Sequence, residues 1–580
     1  MTPGRDRTGT ARVGVDVGGT FTDLVVVDDG HIRVAKVPST PTDQSEGVMA
    51  ALGKAAVPST SAEAVAHGTT VATNALLERR GARTALVTTE GFRDVIEIGR
   101  QARPSLYDLA QRAPAPLVPR ELRFTVRERV GPAGELVPVD EEQLAEVVAR
   151  VRLADVEAVA VCFLFSFIDP SHERRAGDVL RRVLPGVRVS LSSHVLPEFR
   201  EYERFSTTVA DAYLAPVLGA YLGSLGQRME AAGLPSPLVM QSSGGVTDLS
   251  AAVERPSACV LSGPAGGVVG AAYAAAASGY RDLLTFDMGG TSTDVALVLG
   301  GEVTSTTSAV VAGVPIKHSM VDVETVSAGG GSLVWADAGG ALRVGPRSAG
   351  ARPGPACYGL GGEEATVTDA HVYLGYLADR ARLGGEVVLD RSRAERALAT
   401  VGSVLGLSPV GTAAGAVQVA EAEMVRALRV VSVQRGIDPR QLTLVAFGGA
   451  GPMHGCNLAA ELGVQRVLVP RAAGVLSALG LAASDVRRDY ARALLASLSD
   501  LAAAELEHAF VALEERALAD LGDVGDRADL AGPQLRRSAD LRYRGQSFEL
   551  TVPADDLTVL GDNFVAAHLR RYGFELPGRE

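Results

Sequence analysis

The chain has 580 residues, 47% of them hydrophobic and 21% charged, a balance that excludes a disordered chain and calls for two or more packed domains. Its net charge is −12, with lysines and arginines scattered along it; no basic stripe can track a phosphate backbone, which argues against nucleic acid as a partner. The four cysteines, Cys162, Cys259, Cys357 and Cys456, form no CxxC pair, which excludes a local zinc knuckle and leaves free thiols in a reducing cytoplasm as the expectation.

The first twelve residues are polar and lack the apolar stretch of a signal peptide. From Val13 an apolar run enters Asp16-Val-Gly-Gly-Thr-Phe-Thr-Asp23 and resumes over Leu24–Val27, which predicts a β-hairpin turning at Gly18-Gly19. Next, the strand-like Ala64–Ala66 leads through His67-Gly-Thr-Thr-Val-Ala-Thr-Asn74 into a helix whose first turn is expected to expose Thr69 and Thr70. Thr84–Thr88, Ala158–Phe165, Val187–Leu191, Leu238–Gln241 and Leu442–Phe447 read as buried strands. Pro170–Val183, Tyr202–Gly226, Ala265–Ala277 and Val417–Gln434 carry helical periodicity, so the pattern is α/β. The most apolar run, Val156–Ile168, is too short to span a bilayer. Charge-dense Glu198–Arg204 is expected to be a solvated helix start, and proline-rich 104–119 and 345–356 to be long loops. Past residue 500, a helix over Leu501–Leu521 and a strand-like Leu541–Val552 suggest a small C-terminal domain.

The informative feature is a repeat. Asp16–Val27 and Asp287-Met-Gly-Gly-Thr-Ser-Thr-Asp-Val-Ala-Leu-Val298 share seven of twelve positions, so a second hairpin is expected half a chain later, as in a duplicated domain. A D-x-G-G-T hairpin suits polyphosphate. Its glycines turn N–H groups into an anion nest, its threonine hydroxyls donate to phosphate, and a strand-end aspartate can hold Mg²⁺ through water. The candidate nucleotide-binding residues are Gly18, Gly19, Thr20, Thr22, Gly289, Gly290, Thr291 and Thr293, with Asp16 and Asp287 as catalytic and Mg²⁺-organising groups. Asp23 and Asp294, on the second strands, read equally well as hairpin-closing residues. No Walker loop is present. A third cluster, Gly448-Gly-Ala-Gly-Pro-Met-His-Gly455, precedes a helix over Cys456–Leu462. Its spacing is not a dinucleotide fingerprint, and Gly448, Gly449, Ala450 and Gly451 read better as a surface for adenosine. His318, Asp322 and Glu324 alternate onto one strand face, either as a metal cluster or as a hydrogen-bonded polar face. His454 carries no assigned role.

Paired hairpins with a late glycine loop resemble the actin, sugar-kinase and heat-shock ATPase superfamily. Within it, Val13–Asp23, His67–Asn74, Gly91-Phe-Arg-Asp94, Gln241-Ser-Ser-Gly-Gly245, Ser262-Gly-Pro-Ala-Gly266, Asp287–Asp294, Pro353–Tyr358 and Phe447–Gly455 resemble the hydantoinase A/5-oxoprolinase family, which includes acetone carboxylase subunits. The resemblance implies a two-lobed, ribonuclease-H-like ATPase fold: an N-terminal lobe over 12–200, an ATPase lobe over 201–490 and a shortened C-terminal domain over 500–580. It implies a cytoplasmic ATP- and Mg²⁺-dependent subunit that activates a cyclic amide (hydantoin, 5-oxoproline or a related lactam) by phosphoryl transfer, working with a hydantoinase B-type subunit. It also points to His67, Thr69, Thr70 and Asn74 as substrate-binding. The same residues allow a ketone carboxylase subunit, and a nucleotide-driven switch is a third reading.

Overall fold

The computed structural model describes residues 11–19, 21–28, 31–40, 43–57, 62–102, 105, 107–108, 110–383, 387–525 and 533–580. Thr20, Pro104 and the first ten residues, which entered the reading above, lie outside the described residues. The chain forms two compact units, one of Met1–Gly81, Leu214–Ala312 and His318–Arg487, the other of Ala82–Tyr213, Gly313–Lys317 and Arg488–Glu580.

The first unit contains two sheets of one topology. Strands β1 (Ala11–Val17), β2 (Phe21–Asp28) and β3 (His31–Pro38) run antiparallel in sequence. On the other side of β1, β4 (Ala62–Gly68) and then Leu238–Met240 add in parallel. The second sheet repeats this. Leu283–Met288, Thr293–Leu299 and Val323–Val326 are antiparallel neighbours, while Thr443–Phe447 and Val467–Leu468 add in parallel. Three antiparallel strands followed by two parallel ones, twice over, is the duplicated α/β arrangement that the repeat predicts. The strands are valine- and leucine-rich because both faces are covered: Val13, Val15, Leu24, Val25, Leu284, Phe286, Val295 and Leu297 are all buried.

Two helices, Ser262–Ala276 and Leu476–Ala483, join the sheets through glycines. A Cβ on Gly480 would sit 1.9 Å from the Gly266 carbonyl oxygen, and one on Gly270 would sit 2.3 Å from that of Leu476. On the sheet side, a Cβ on Gly14 of β1 would lie 1.9 Å from the Ala478 carbonyl oxygen. Backbones touch at all three places, so only glycine fits.

Several elements differ from expectation. The helix expected over Cys456–Leu462 begins at Gly451, because Pro452 suits a first turn. Leu541–Val552 is not one strand but the link of a hairpin, with Ser538–Leu541 paired to Leu550–Pro553. The stretch 345–356 starts inside a strand, Leu342–Ser348, where Pro346 is tolerated on a two-stranded ribbon.

The second unit holds a parallel sheet ordered Arg188–Leu191, Ala158–Cys162, Thr84–Thr89, Arg123–Val126. At its strand ends Arg204 is buried, contrary to a solvated reading of Glu198–Arg204. Its guanidinium donates to the Phe163 carbonyl at 2.9 Å and to Ser166 Oγ at 2.7 Å, near a buried Glu173. Among the described residues no single helix is long and apolar enough to cross a membrane.

Candidate nucleotide site

Strand register places the repeated aspartates. Asp16 stands opposite Asp23, and Asp23 opposite Lys36 of β3, whose Nζ is 2.7 Å from Asp23 Oδ1. Asp287 stands opposite Asp294, and Asp294 opposite Thr325, whose hydroxyl donates to Asp294 Oδ1 at 2.6 Å. In each sheet, then, the third strand anchors the second aspartate. The first aspartates are different: Asp16 and Asp287 have no hydrogen-bond partner among the described residues.

Burial pushes the Asp16 carboxyl up to about 7, with Asp23 adding and Lys36 opposing. Burial likewise pushes Asp287 up to about 8, helped by Asp294, Asp16 and Asp23, and Asp294 up to about 6. Because Asp16 and Asp23 act on Asp287, the carboxylates of both hairpins share one electrostatic neighbourhood. Each free aspartate also has room made for it. A Cβ on Gly68 would lie 3.0 Å from Asp16 Oδ1, and one on Gly448 only 2.2 Å from Asp287 Oδ1.

The hairpin turns match in detail, with Gly18 N–H donating to the Phe21 carbonyl and Gly289 N–H to that of Ser292, both at 3.0 Å. Beyond each turn the threonine faces inward. Thr22 is buried and hydrogen-bonds Ser39 Oγ at 3.2 Å; Thr293 is buried and donates to the Ala328 carbonyl. Both hydroxyls brace the hairpins, which corrects the expectation that they donate to phosphate. Gly19, Gly290 and Thr291 are exposed.

In the third loop, Gly448 N–H donates to Ala473 and Ala450 N–H to Met288, while Ala450 and Gly451 are buried. Only Gly449 is exposed there. A fourth element is the glycine cluster 329–331, which the sequence marks as a close-approach turn without giving it a role. Gly330 and Gly331 N–H donate to the Gly289 and Gly290 carbonyls at 3.0 and 2.6 Å, and Thr368 fixes Gly330 through its N–H and hydroxyl.

Three exposed glycines, Gly19, Gly290 and Gly449, have no reason within the chain to be glycine. None has a positive φ, and a Cβ on any of them would meet nothing within 4 Å. Each lies in a different glycine loop, and the exposed Gly53, Gly186 and Gly474 have the same freedom.

The expected substrate residues are arranged otherwise than exposure predicts. His67 is buried, its Nδ1 3.3 Å from the Val15 carbonyl and its Nε2 2.7 Å from the Tyr221 hydroxyl, and burial lowers it to about 4. Thr69 is buried rather than exposed, its Oγ1 accepting from Val71 N–H at 3.1 Å at the start of the helix Val71–Leu77. Thr70 and Asn74 are half-buried, with Asn74 Nδ2 3.4 Å from Thr70 Oγ1. His318, Asp322 and Glu324 do not converge as a metal cluster: His318 pairs with Ser257 Oγ at 2.8 Å and Asp322 with Arg435.

A hard cation fits the remaining donors. Among the described residues no group of three or more side chains could hold a metal alone, so the chain offers the free carboxylates of Asp16 and Asp287. Mg²⁺ characteristically takes one or two carboxylates and draws its other ligands from phosphate and water.

Fold and site together define an α/β protein of the actin-like ATPase class. The hydantoinase/oxoprolinase N-terminal region matches residues 12–184, and hydantoinase/oxoprolinase matches residues 204–490; the chain belongs to the hydantoinase/oxoprolinase family. It is similar to the caprolactamase subunit alpha of Pseudomonas jessenii, with 38% identity over 98% of this chain and 84% of that one. It also superposes on the crystal structure of the ATP-dependent caprolactamase of that organism, with TM-score 0.86, 37% identity and coverage of 98% and 85%. The acetophenone carboxylase gamma subunit of Aromatoleum aromaticum is 36% identical over 82% of this chain and 68% of its own.

Proposed function

We propose that this chain is the ATP-using subunit of a cyclic-amide hydrolase. Two unpartnered carboxylates, one at the same position of each repeated hairpin, carry the reading. ATP lies between the hairpin turns and the Gly448–Gly451 loop, with its phosphates against Gly19, Gly290 and the open Thr291. Unstrained amides resist water because resonance stabilises them, and phosphorylating the amide oxygen makes the carbon electrophilic and the oxygen a leaving group. That transfer needs positioning and charge stabilisation more than covalent help. Asp16 and Asp287 orient the reacting groups and would hold Mg²⁺, which supplies charge neutralisation at the phosphates when bound. The loop from His67 to Asn74 forms the acceptor side, with Thr70 and Asn74 available to substrate and His67 and Thr69 fixing the loop.

The ATP-dependent caprolactamase relative supports a lactam as acceptor, and its name as an alpha subunit supports a partner subunit, here taken to be of the hydantoinase B type. The carboxylase relative supports a second reading, phosphorylation of bicarbonate or an enolised ketone on the same hairpins. Cys162, Cys259, Cys357 and Cys456 are all free, which supports a cytoplasmic location. Phosphate release from Mg·ATP, measured with a lactam and hydantoin panel against a ketone-plus-bicarbonate panel, separates the two readings. Stimulation by lactams, lost in Asp16→Asn and Asp287→Asn, is expected; stimulation by ketone and bicarbonate alone would replace the hydrolase with the carboxylase.

A further inference from the structure

The helix Glu201–Ala231 carries Tyr221 to the strand that precedes the acceptor loop, and the contacts there form a directed chain. His67 lies beside Val15 in the parallel β1–β4 ladder, one residue before the Asp16–Gly68 pair. Its Nδ1 faces the Val15 carbonyl, which can only accept, so Nδ1 carries the proton and Nε2 is an acceptor. The Tyr221 hydroxyl, 2.7 Å from Nε2, is then the donor. Tyr221 and Val71, the first residue of the helix Val71–Leu77, also pack against one apolar cluster. Tyr221 to His67 to the Val15 carbonyl is one sequence of hydrogen bonds, and linked bonds of this kind reinforce one another.

The geometry at both ends gives the chain its purpose. At one end is the residue before Asp16, and a Cβ on Gly68 would already lie 3.0 Å from the Asp16 carboxylate. At the other end the strand runs into Thr69, whose Oγ1 accepts from Val71 N–H where the helix carrying Asn74 begins, with Thr70 between them. The strand that enters the acceptor loop and the strand that carries Asp16 are thus tied together by two ring side chains. We infer that Tyr221 is a positioning residue, acting through His67 to set the distance between Asp16 and the loop that receives the phosphoryl acceptor. This rests on the phosphoryl-transfer reading above and adds to it the part that aligns the two substrates.

Removing the hydroxyl leaves His67 Nε2 buried without a donor, which loosens the loop that follows His67 while leaving the glycine turns alone. Tyr221→Phe is therefore expected to lower kcat for substrate-stimulated ATP hydrolysis about tenfold, a modest misalignment, with ATP affinity within about twofold of the parent. His67→Asn keeps a donor for the Val15 carbonyl and loses the link to Tyr221. It should match Tyr221→Phe, and the double variant should be no slower than either, as for residues acting in series. Amide hydrogen exchange over residues 67–74 of the nucleotide-free chain should speed up in all three variants. An unchanged kcat in Tyr221→Phe, additive losses in the double variant, or unchanged exchange over 67–74 would each overturn the assignment. The exchange arm needs no nucleotide, so a parent chain without ATP turnover would count against the phosphoryl-transfer reading and leave exchange to decide this one.

Discussion

Two neighbouring glycines separate a structural demand from a ligand's demand. Gly448 adopts φ +83°, and its added Cβ would lie 2.2 Å from Asp287 Oδ1, so Gly448→Ala is expected to lower the melting temperature by several degrees. Gly449 meets neither condition. Gly449→Ala should melt with the parent and lose nucleotide affinity, by roughly tenfold if one close contact is blocked. Thermal melts beside nucleotide titrations check the pair; a Gly449→Ala chain that binds as well as the parent would show that no ligand approaches there. The aspartates carry a further, pH-dependent signature. An unfolded aspartate titrates near about 3.9, whereas Asp16 and Asp287 are raised to about 7 and about 8. A raised carboxyl keeps its proton where the unfolded chain has released it, so folding loses stability as pH climbs from about 4 toward 8. Without nucleotide, Asp287→Asn is expected to melt above the parent at about pH 9 and close to it at about pH 4. Equal melting temperatures at both pH values would contradict the burial assigned to Asp287.

At the scale of elements, the contact between the helices Ser262–Ala276 and Leu476–Ala483 joins the two hairpin sheets. Gly480→Val would place carbon against the Gly266 carbonyl, and overpacking of this kind costs about 1–3 kcal/mol or more. Denaturant unfolding should register that loss, and a neutral result would mean the helices part easily. The hairpins themselves were legible because apolar strands, a Gly-Gly turn and a repeat identical at seven of twelve positions all coincide in Asp16–Val27 and Asp287–Val298. What local pattern could not supply was contact between distant segments. Nothing near Thr22 or Thr293 announces Ser39 or the Ala328 carbonyl, so both threonines read as phosphate donors. His67 was singled out by motif, but its partner Tyr221 lies 154 residues away. Leu541–Val552 read as one strand because Leu541, Tyr543, Phe548, Leu550 and Val552 flank a short polar link whose turn only tertiary pairing reveals.

For the whole molecule, the repeat said that two halves match, and the sheets show how. Both belong to one compact unit, and the first draws strands from 11–68 and again from 238–247, an interleaving that no linear reading of composition announces. Function depends on this duplication, since each hairpin supplies one unpartnered carboxylate and one exposed glycine. The central claim is that both hairpins hold a single nucleotide. Calorimetric titration of the chain with Mg·ATP, repeated for Gly19→Val and for Gly290→Val, tests it most directly. One ATP per chain, with affinity reduced in both variants, is the expected result; no binding, or binding that responds to only one of the two substitutions, would contradict it.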